Sequence, residues 1–332
     1  MGRYGDGVNE PFLLEHIYRH AGGTAGTAAT PATAADGGRG VLIPPGDDMG
    51  GVVVGGSTVL VTVDQLVEGV HFTPQTTLER VGRKAITRNL SDVAAMAAKP
   101  TAAVAAALLS RAMPDAEATR LVDAMREVSA SFEAPLIGGD IAAHDGPMVL
   151  TVTLLAEPAG IEPVRRSTAR VGDELWVTGQ LGGSLLEAED GRVHHLDFEP
   201  RIAVARRLAS DAATRPTAMI DLSDGLGRDL ARVCAASDVS AVIELEALPV
   251  RGVAAHRASR DGIEPWRAAV GDGEDYELLM AMPPGVELPP IEGVTLTRIG
   301  RIVPRGETAV TWRQGGAAVR LDPAALGWEH GG

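Results

Sequence analysis

Two amino acids are nearly missing from this chain. Cysteine occurs once, at Cys234, and lysine twice, at Lys84 and Lys99. One cysteine excludes an intramolecular disulfide framework. With no C-x-x-C and no H-E-x-x-H, the usual zinc sites are excluded too. Neither lysine follows a glycine-rich loop, so there is no P-loop and no protein-kinase-like ATP site. No G-x-G-x-x-G occurs, which leaves a dinucleotide fold without support. No apolar run reaches the roughly 18 residues that a membrane-spanning helix needs. The start, "MGRYGDGVNEPFLLEHIYRHAGG", lacks an apolar signal-peptide core. Together these absences predict a cytoplasmic chain.

What is abundant is negative charge. The formal net charge is −14 over 332 residues. Such a balance argues against unaided binding to nucleic acid or to an anionic membrane. Anionic ligands would have to be met through metal cations. With 45% hydrophobic and 22% charged residues the chain is globular, and its length predicts two domains.

The first half reads as alternating strands and helices. Residues 10–21 form a short amphipathic helix by pattern. The stretch "GGTAGTAATPATAADGGRG" (22–40) is low in apolar content and is predicted to be a flexible loop. "GGVVVGGSTVLVTVDQL" (50–66) carries two β-branched runs around a Gly-Gly turn, a hairpin signal. A helix over 78–98, a strand over 101–110, a helix over 115–132 and a strand over 147–157 follow. This alternation indicates an α/β or α+β domain. A linker at 158–174 divides the chain into 1–158 and 159–332. Beyond it come a strand at "ELWVTG", helices near 181–189 and 199–209, a strand at 217–223 and the helix "GLGRDLARVCAAS". Further strands are expected near 240–245, 276–281 and 294–300.

The stretch "RNLSDVAAMAAKP" (88–100) poses the functional question. Asn89, Asp92 and Met96 share one helical face, so a helix of small, closely packing residues points a carboxylate inward. Similar acids recur at predicted junctions: "PPGDDMGG", "VTVDQLVEGVHF", "IGGDIAAHDG", "DLSDGLGRDL" and "GDGEDYEL". Each one alone fits a turn or helix-cap residue. Their repetition beside glycine, at strand ends and helix starts, fits phosphate binding. Carboxylates without Cys or clustered His suit hard cations, and Mg2+ typically takes one or two carboxylates plus phosphate oxygens. His194 and His195 lie in a polar stretch and read as solvated. Cys234 reads as a core residue of an amphipathic helix.

Taken together, "GDD", "VDQLVEGVHF", "GRKAITRNLSDVAAMAAKP", "GGD", "RRSTARVGDELWVTG", "IDLSDGL" and "GEDYELL" resemble the thiamine-monophosphate kinases of the aminoimidazole-ribonucleotide-synthetase-like superfamily. They stand in the family's order from about residue 41 to 281, and "LGWEH" resembles its closing aromatic motif. The resemblance implies a two-domain α/β (α+β) fold whose N-terminal sheets pair into a barrel across a homodimer, with a C-terminal α/β domain. It implies ATP as co-substrate, several Mg2+ ions, and phosphorylation of thiamine monophosphate to thiamine diphosphate.

By position, Asp47, Thr62, Asp64, Asp92, Asp140, Asp221 and Asp224 resemble the metal ligands. Gly139, Asp140, Arg166 and Ser223 match ATP contacts, and His71, Glu274 and Trp328 match substrate contacts. Asp92, Asp140 and Arg166 are the catalytic candidates. Arg166 could instead be a surface charge of the linker, and Trp328 could cover a core edge. Val63 stands where Thr or Ser is common, which puts a metal contact there in doubt. Ala97 stands where Gly is usual, a mild change in a helix. Purine-pathway cyclisation and a non-catalytic nucleotide-binding homologue remain as alternatives. Selenophosphate synthesis and carbamoyl dehydration would call for terminal cysteines that the chain lacks.

Overall fold

The computed structural model describes residues 40–328, and Ile17 besides. Apart from Ile17, the helix expected over 10–21 and nearly all of the loop expected over 22–40 lie outside the described residues.

The first half builds one open, six-stranded sheet. Its strands are β1 (Gly40–Ile43), β2 (Gly50–Val54), β3 (Ser57–Val67), β4 (Lys99–Ser110), β5 (Leu136–His144) and β6 (Val149–Glu157). Their spatial order is β1-β2-β3-β6-β4-β5, antiparallel except for the β4–β5 pair. Gly55 and Gly56 close the β2–β3 hairpin with φ of 59° and 83°, the left-handed turn that twisted strands prefer. Helices α1 (Leu78–Ala95) and α2 (Asp115–Ser131) cover one face. On α1, Val81, Ile86, Leu90 and Val93 are fully buried at helical spacing. Each such side chain contributes about 1.5–3 kcal/mol. Thr77 caps the helix by accepting from the Arg80 N–H.

Strand β5 was not expected, because "IGGD" reads as a ligand loop rather than as period-two alternation. The reason for its glycine is steric: a Cβ on Gly139 would lie 1.8 Å from the Ala105 carbonyl oxygen of β4. Ala97 also departs from expectation. The helix stops at Ala95, and Ala97 sits beyond it at φ 52°, where glycine is favoured. The alanine is therefore strained rather than a mild helical change.

The second half builds a seven-stranded sheet, β13-β12-β9-β11-β7-β10-β8. The strands are β7 (Glu174–Thr178), β8 (Ala218–Asp221), β9 (Val239–Glu244), β10 (Leu278–Met282), β11 (Leu296–Pro304), β12 (Val310–Gln314) and β13 (Ala317–Val319). Helices α3 (His194–Asp197), α4 (Ile202–Ala209), α5 (Leu226–Ala236), α6 (Gly252–Asp261) and α7 (Trp266–Gly271) accompany them. The helix expected near 181–189 does not form. Gly182 and Gly183 take φ of 77° and 70°, which no right-handed helix admits. The last two strands and helices α6 and α7 were not foreseen. Cys234 is fully buried in the core, as its helix pattern implies.

Both sheets are largely antiparallel, so the mixed architecture is of the α+β kind. The halves meet through the small residues of "RNLSDVAAMAAKP". Ala94, Ala95 and Ala97 pack with Val204, Leu208, Met219, Leu278 and Met280 in one buried cluster. This close packing brings α1 against β8 and the loops around it.

Candidate active site

Helix α1 carries Lys84, Arg88 and Asp92 four residues apart, hence on one face and about 6 Å apart along the axis. That face lines a cavity of about 300 Å3 between the two halves. At one end, single carboxylate oxygens of Asp48, Asp92 and Asp221 all lie within 4.8 Å of one another. Asp48 comes from the β1–β2 loop, Asp92 from α1 and Asp221 from the end of β8. Thr62 of β3 donates its hydroxyl to Asp92, and Ser91 donates to Asp221 at 2.6 Å. Burial, then the neighbouring Asp64, Asp221 and Asp48, push Asp92 well above the usual carboxylate range. Burial and Asp48 do the same to Asp221.

At the other end lies "GEDYEL". Glu274 and Tyr276 hold left-handed backbone, φ 53° and 50°. Such conformations cost of order 1–3 kcal/mol each and persist only where the surroundings impose them. The Glu274 N–H donates to Ser223 O at 2.7 Å and the Tyr276 N–H to Leu222 O at 2.8 Å, tying this loop to the one after β8. Lys84, fully enclosed, donates to both Glu274 oxygens at 2.8 and 2.9 Å and to His71 O at 2.7 Å. His195 Nδ1 lies 2.9 Å from Glu274 Oε2. Burial pushes Glu274 up, but His195 and Lys84 outweigh it and hold the carboxyl at about 2. Burial pulls Lys84 down to about 8, still above neutrality, so the pair is charged at pH 7.

Eight of the residues singled out in the sequence line this cavity: Asp64, His71, Asp92, Asp221, Ser223, Asp224, Glu274 and Trp328. Asp224 is paired with Arg232. The Trp328 N–H donates to Asp224 O at 2.8 Å while the residue is 56% exposed, so it does not cover a core edge. His71 Nδ1 accepts from the Val67 N–H at 2.9 Å. Within "GDD" the structure draws Asp48, not Asp47, into the triad. Asp47 accepts instead from the Arg166 and Asp48 N–H groups, and burial with Asp48 beside it raises its carboxyl to about 7. Arg166 is not a linker-surface charge. It forks onto Asp48 at 2.6 and 3.0 Å with its side chain 16% exposed.

Two expectations part from the geometry, and the doubt about a contact at Val63 stands. Gly139 and Asp140 sit on β5, an edge strand three positions from β3, about 14 Å away at normal strand spacing. Cross-strand registers through β6 and β4 put Asp140 in the row of Gln65, on the sheet face opposite Thr62 and Asp64. Val63 points to that outer face too and is 59% exposed, so its side chain makes no contact in the cavity. His194 and His195 are not solvated: His195 is buried against Glu274, and the His194 ring meets Asp275 O at 2.7 Å. Lys84, Arg88 and Tyr276 were missed. The i, i+4, i+8 spacing of "KAITRNLSD" was the available signal for the first two.

A second cavity, about 460 Å3, is larger and shares no lining residue with the first. Leu109, Met113, Ala118, Val122 and Ile141 line it, between α2 and the β4–β5 edge.

A mixed two-sheet fold with acidic loops converging between its halves defines a superfamily. Residues 46–157 match the N-terminal domain of AIR synthase related proteins and residues 170–313 the C-terminal domain, so the chain belongs to this family. Its relatives narrow the class. The chain is 39% identical to the thiamine-monophosphate kinase of Rhodopirellula baltica over 73% of its own length and 75% of the relative's. It is 38% identical to that of Halobacterium salinarum, over 88% and 96%. Among solved structures, AaThiL complexed with AMPPCP and TMP superposes with a TM-score of 0.78 at 27% identity, over 97% of both chains.

Proposed function

We propose that this chain transfers the γ-phosphoryl group of ATP to thiamine monophosphate, giving thiamine diphosphate. The observation that carries this reading is one cavity with a carboxylate triad at one end and Glu274, His71 and Trp328 at the other. Relatives named thiamine-monophosphate kinase, aligned over 73% and 88% of the chain, support it. The triad fits Mg2+: its donors are all hard oxygens, and close crowding leaves Asp92 and Asp221 in need of positive charge. Asp48, Asp92 and Asp221 would hold the first ion, with Asp64, Asp224, Thr62 and Asp47 nearest for others. Such ions, when bound, neutralise and align phosphate oxygens.

The acceptor is itself a phosphate, ionised near neutrality, so no general base is required. His71 is a positioning group in this reading, with Nδ1 occupied by a backbone N–H. Trp328 offers a ring face for the thiazolium cation. Coupled ADP release should require thiamine monophosphate, ATP and Mg2+ together. Free thiamine should not be phosphorylated, and the rate should fall as pH drops through about 6, the second ionisation of a phosphomonoester. Efficient turnover of free thiamine would refute the reading.

The N-terminal half, to residue 158, would also pair with a second copy. Its outer sheet face exposes Val63 and Val104. Closing two open sheets edge to edge into a barrel would bring β5 of one copy, with Asp140 and the 460 Å3 cavity, toward its partner's β1 edge. That cavity is sized for the nucleoside end of ATP. Mixing inactive Asp92→Asn and Asp140→Asn chains should then restore roughly a quarter of the activity, since one site in each hybrid dimer is intact. No recovery would return Asp140 to its own chain.

A further inference from the structure

Among the described residues lining the 300 Å3 cavity, Arg88 is the one Arg or Lys, set among six acids. It stands on α1 midway between Lys84, which is consumed by Glu274 and His71, and Asp92, which belongs to the triad. Its Nη1 donates to Gln65 O at 2.8 Å, and Nη2 lies 3.8 Å from Asp64 Oδ1, too far for a hydrogen bond. Its Nε–H is buried with no hydrogen-bond partner among the described residues, and the side chain is 12% exposed. Desolvation opposes the charge, but Tyr276, Asp64, Glu274 and Asp92 around it hold the guanidinium protonated.

A buried donor without a partner is costly, and a guanidinium with spare N–H groups is shaped for two oxygens of one phosphate. The place is specific. Toward Asp92 lies the proposed metal and phosphoryl end, and toward Lys84 the end proposed for the organic ring. We infer that Arg88 binds the phosphate of the acceptor molecule and so lets the enzyme tell thiamine monophosphate from thiamine. This rests on the thiamine monophosphate reading given above. The phosphate would sit between Arg88 and the Asp48, Asp92 and Asp221 carboxylates that would hold the metal, where Arg88 offsets its charge.

The test is calorimetric titration of thiamine monophosphate and of free thiamine into the full chain, saturated with Mg2+ and a non-hydrolysable ATP analogue. Arg88→Gln should weaken thiamine monophosphate about 10- to 100-fold and leave thiamine unchanged. Arg88→Lys, which keeps charge but not the fork, should lose less, about 3- to 10-fold, again for the phosphorylated ligand alone. Equal weakening of both ligands would make Arg88 a support for β3 through Gln65, and no weakening would free it of any role; either result overturns the inference. Should Arg88→Gln fail to fold, Arg88→Lys decides on the same criterion. Wild-type protein that does not bind thiamine monophosphate would overturn the kinase reading itself, and this inference with it.

Discussion

Two sets of three enclosed carboxylates lie within this cavity and its walls, and they are built on opposite principles. In "GEDYEL" each acid has its own cation: Glu274 meets Lys84, Asp275 meets Arg251 and Glu277 meets Arg201. In the triad, Asp48, Asp92 and Asp221 mainly face one another, and among the described residues only Asp48 is ion-paired, to Arg166. Glu274 is held at about 2, while Asp92 and Asp221 are driven up. Pairing has limits, since wholly enclosed Asp275 is pushed by burial to about 7 despite Arg251 and the Gly182 N–H. The difference teaches which acids hold the fold and which wait for a ligand. Paired acids fix the loops, and crowded acids store an affinity for a divalent cation.

The sharpest break of this contrast is Asp92→Asn. Turnover should fall about 100-fold or more, because a carboxylate leaves the proposed cation cluster. Without Mg2+, however, the melting temperature should rise. A folded-state value above the unfolded one means that ionised Asp92 costs stability at neutral pH, and the amide removes that cost. Near wild-type turnover at saturating Mg2+ would remove Asp92 from the site.

Glu277→Gln should do the reverse. It strips the charge from a bidentate partner and leaves Arg201 enclosed, with its side chain 17% exposed. Breaking such a pair costs about 3 kcal/mol, to be read from urea unfolding. A loss below about 0.5 kcal/mol would place the pair among ordinary surface ion pairs.

Acid should sort the two sets again, more gently. Glu274 is depressed from an ordinary 4.5 to about 2. Its contribution is therefore complete above pH 4.5 and is lost as pH falls toward 2, a span of about 3 kcal/mol. In Glu274→Gln that part of the acid limb should flatten, and an unchanged limb would contradict the pairing with Lys84.

Trp328→Ala should have the smallest effect. Losing a ring face over a cation is worth about 1–2 kcal/mol, roughly 5- to 30-fold in KM for thiamine monophosphate. KM for ATP and the melting temperature should stay nearly fixed. A large fall in melting temperature with unchanged KM would assign the residue to structure.

Much of this was legible in the chain itself, for local reasons. The β2–β3 hairpin showed in its two β-branched runs around Gly55-Gly56, and α1 in its run of small residues. Asp224 and Glu274 betrayed themselves by standing beside glycine at element ends, and Asp92 by pointing from a closely packing helix. What stayed hidden depended on distant partners. Gly139 signalled a ligand loop but serves a close strand contact with Ala105. Asp140 carries the same motif yet lies on the far face of the sheet. Lys84 and Arg88 drew no functional reading, because the groups that enclose Lys84 come from "GEDYEL" and His195, far along the chain. Gly182-Gly183 broke a helix that composition alone favoured.

The Lys84–Glu274 contact has a temporal consequence. The two residues are 190 positions apart in the chain. At ordinary synthesis rates of about 5–20 residues per second, Lys84 leaves the ribosome roughly 10–40 s before its partner exists. Throughout that interval Arg88 and Asp92 can already meet Gln65 and Thr62, but Lys84 lacks its carboxylate counterpart and must stay wet. The first sheet can assemble on its own hydrophobic cluster. The site cannot close until the last third of the chain has arrived, so a nascent chain stalled before residue 274 would carry a folded sheet and no active centre.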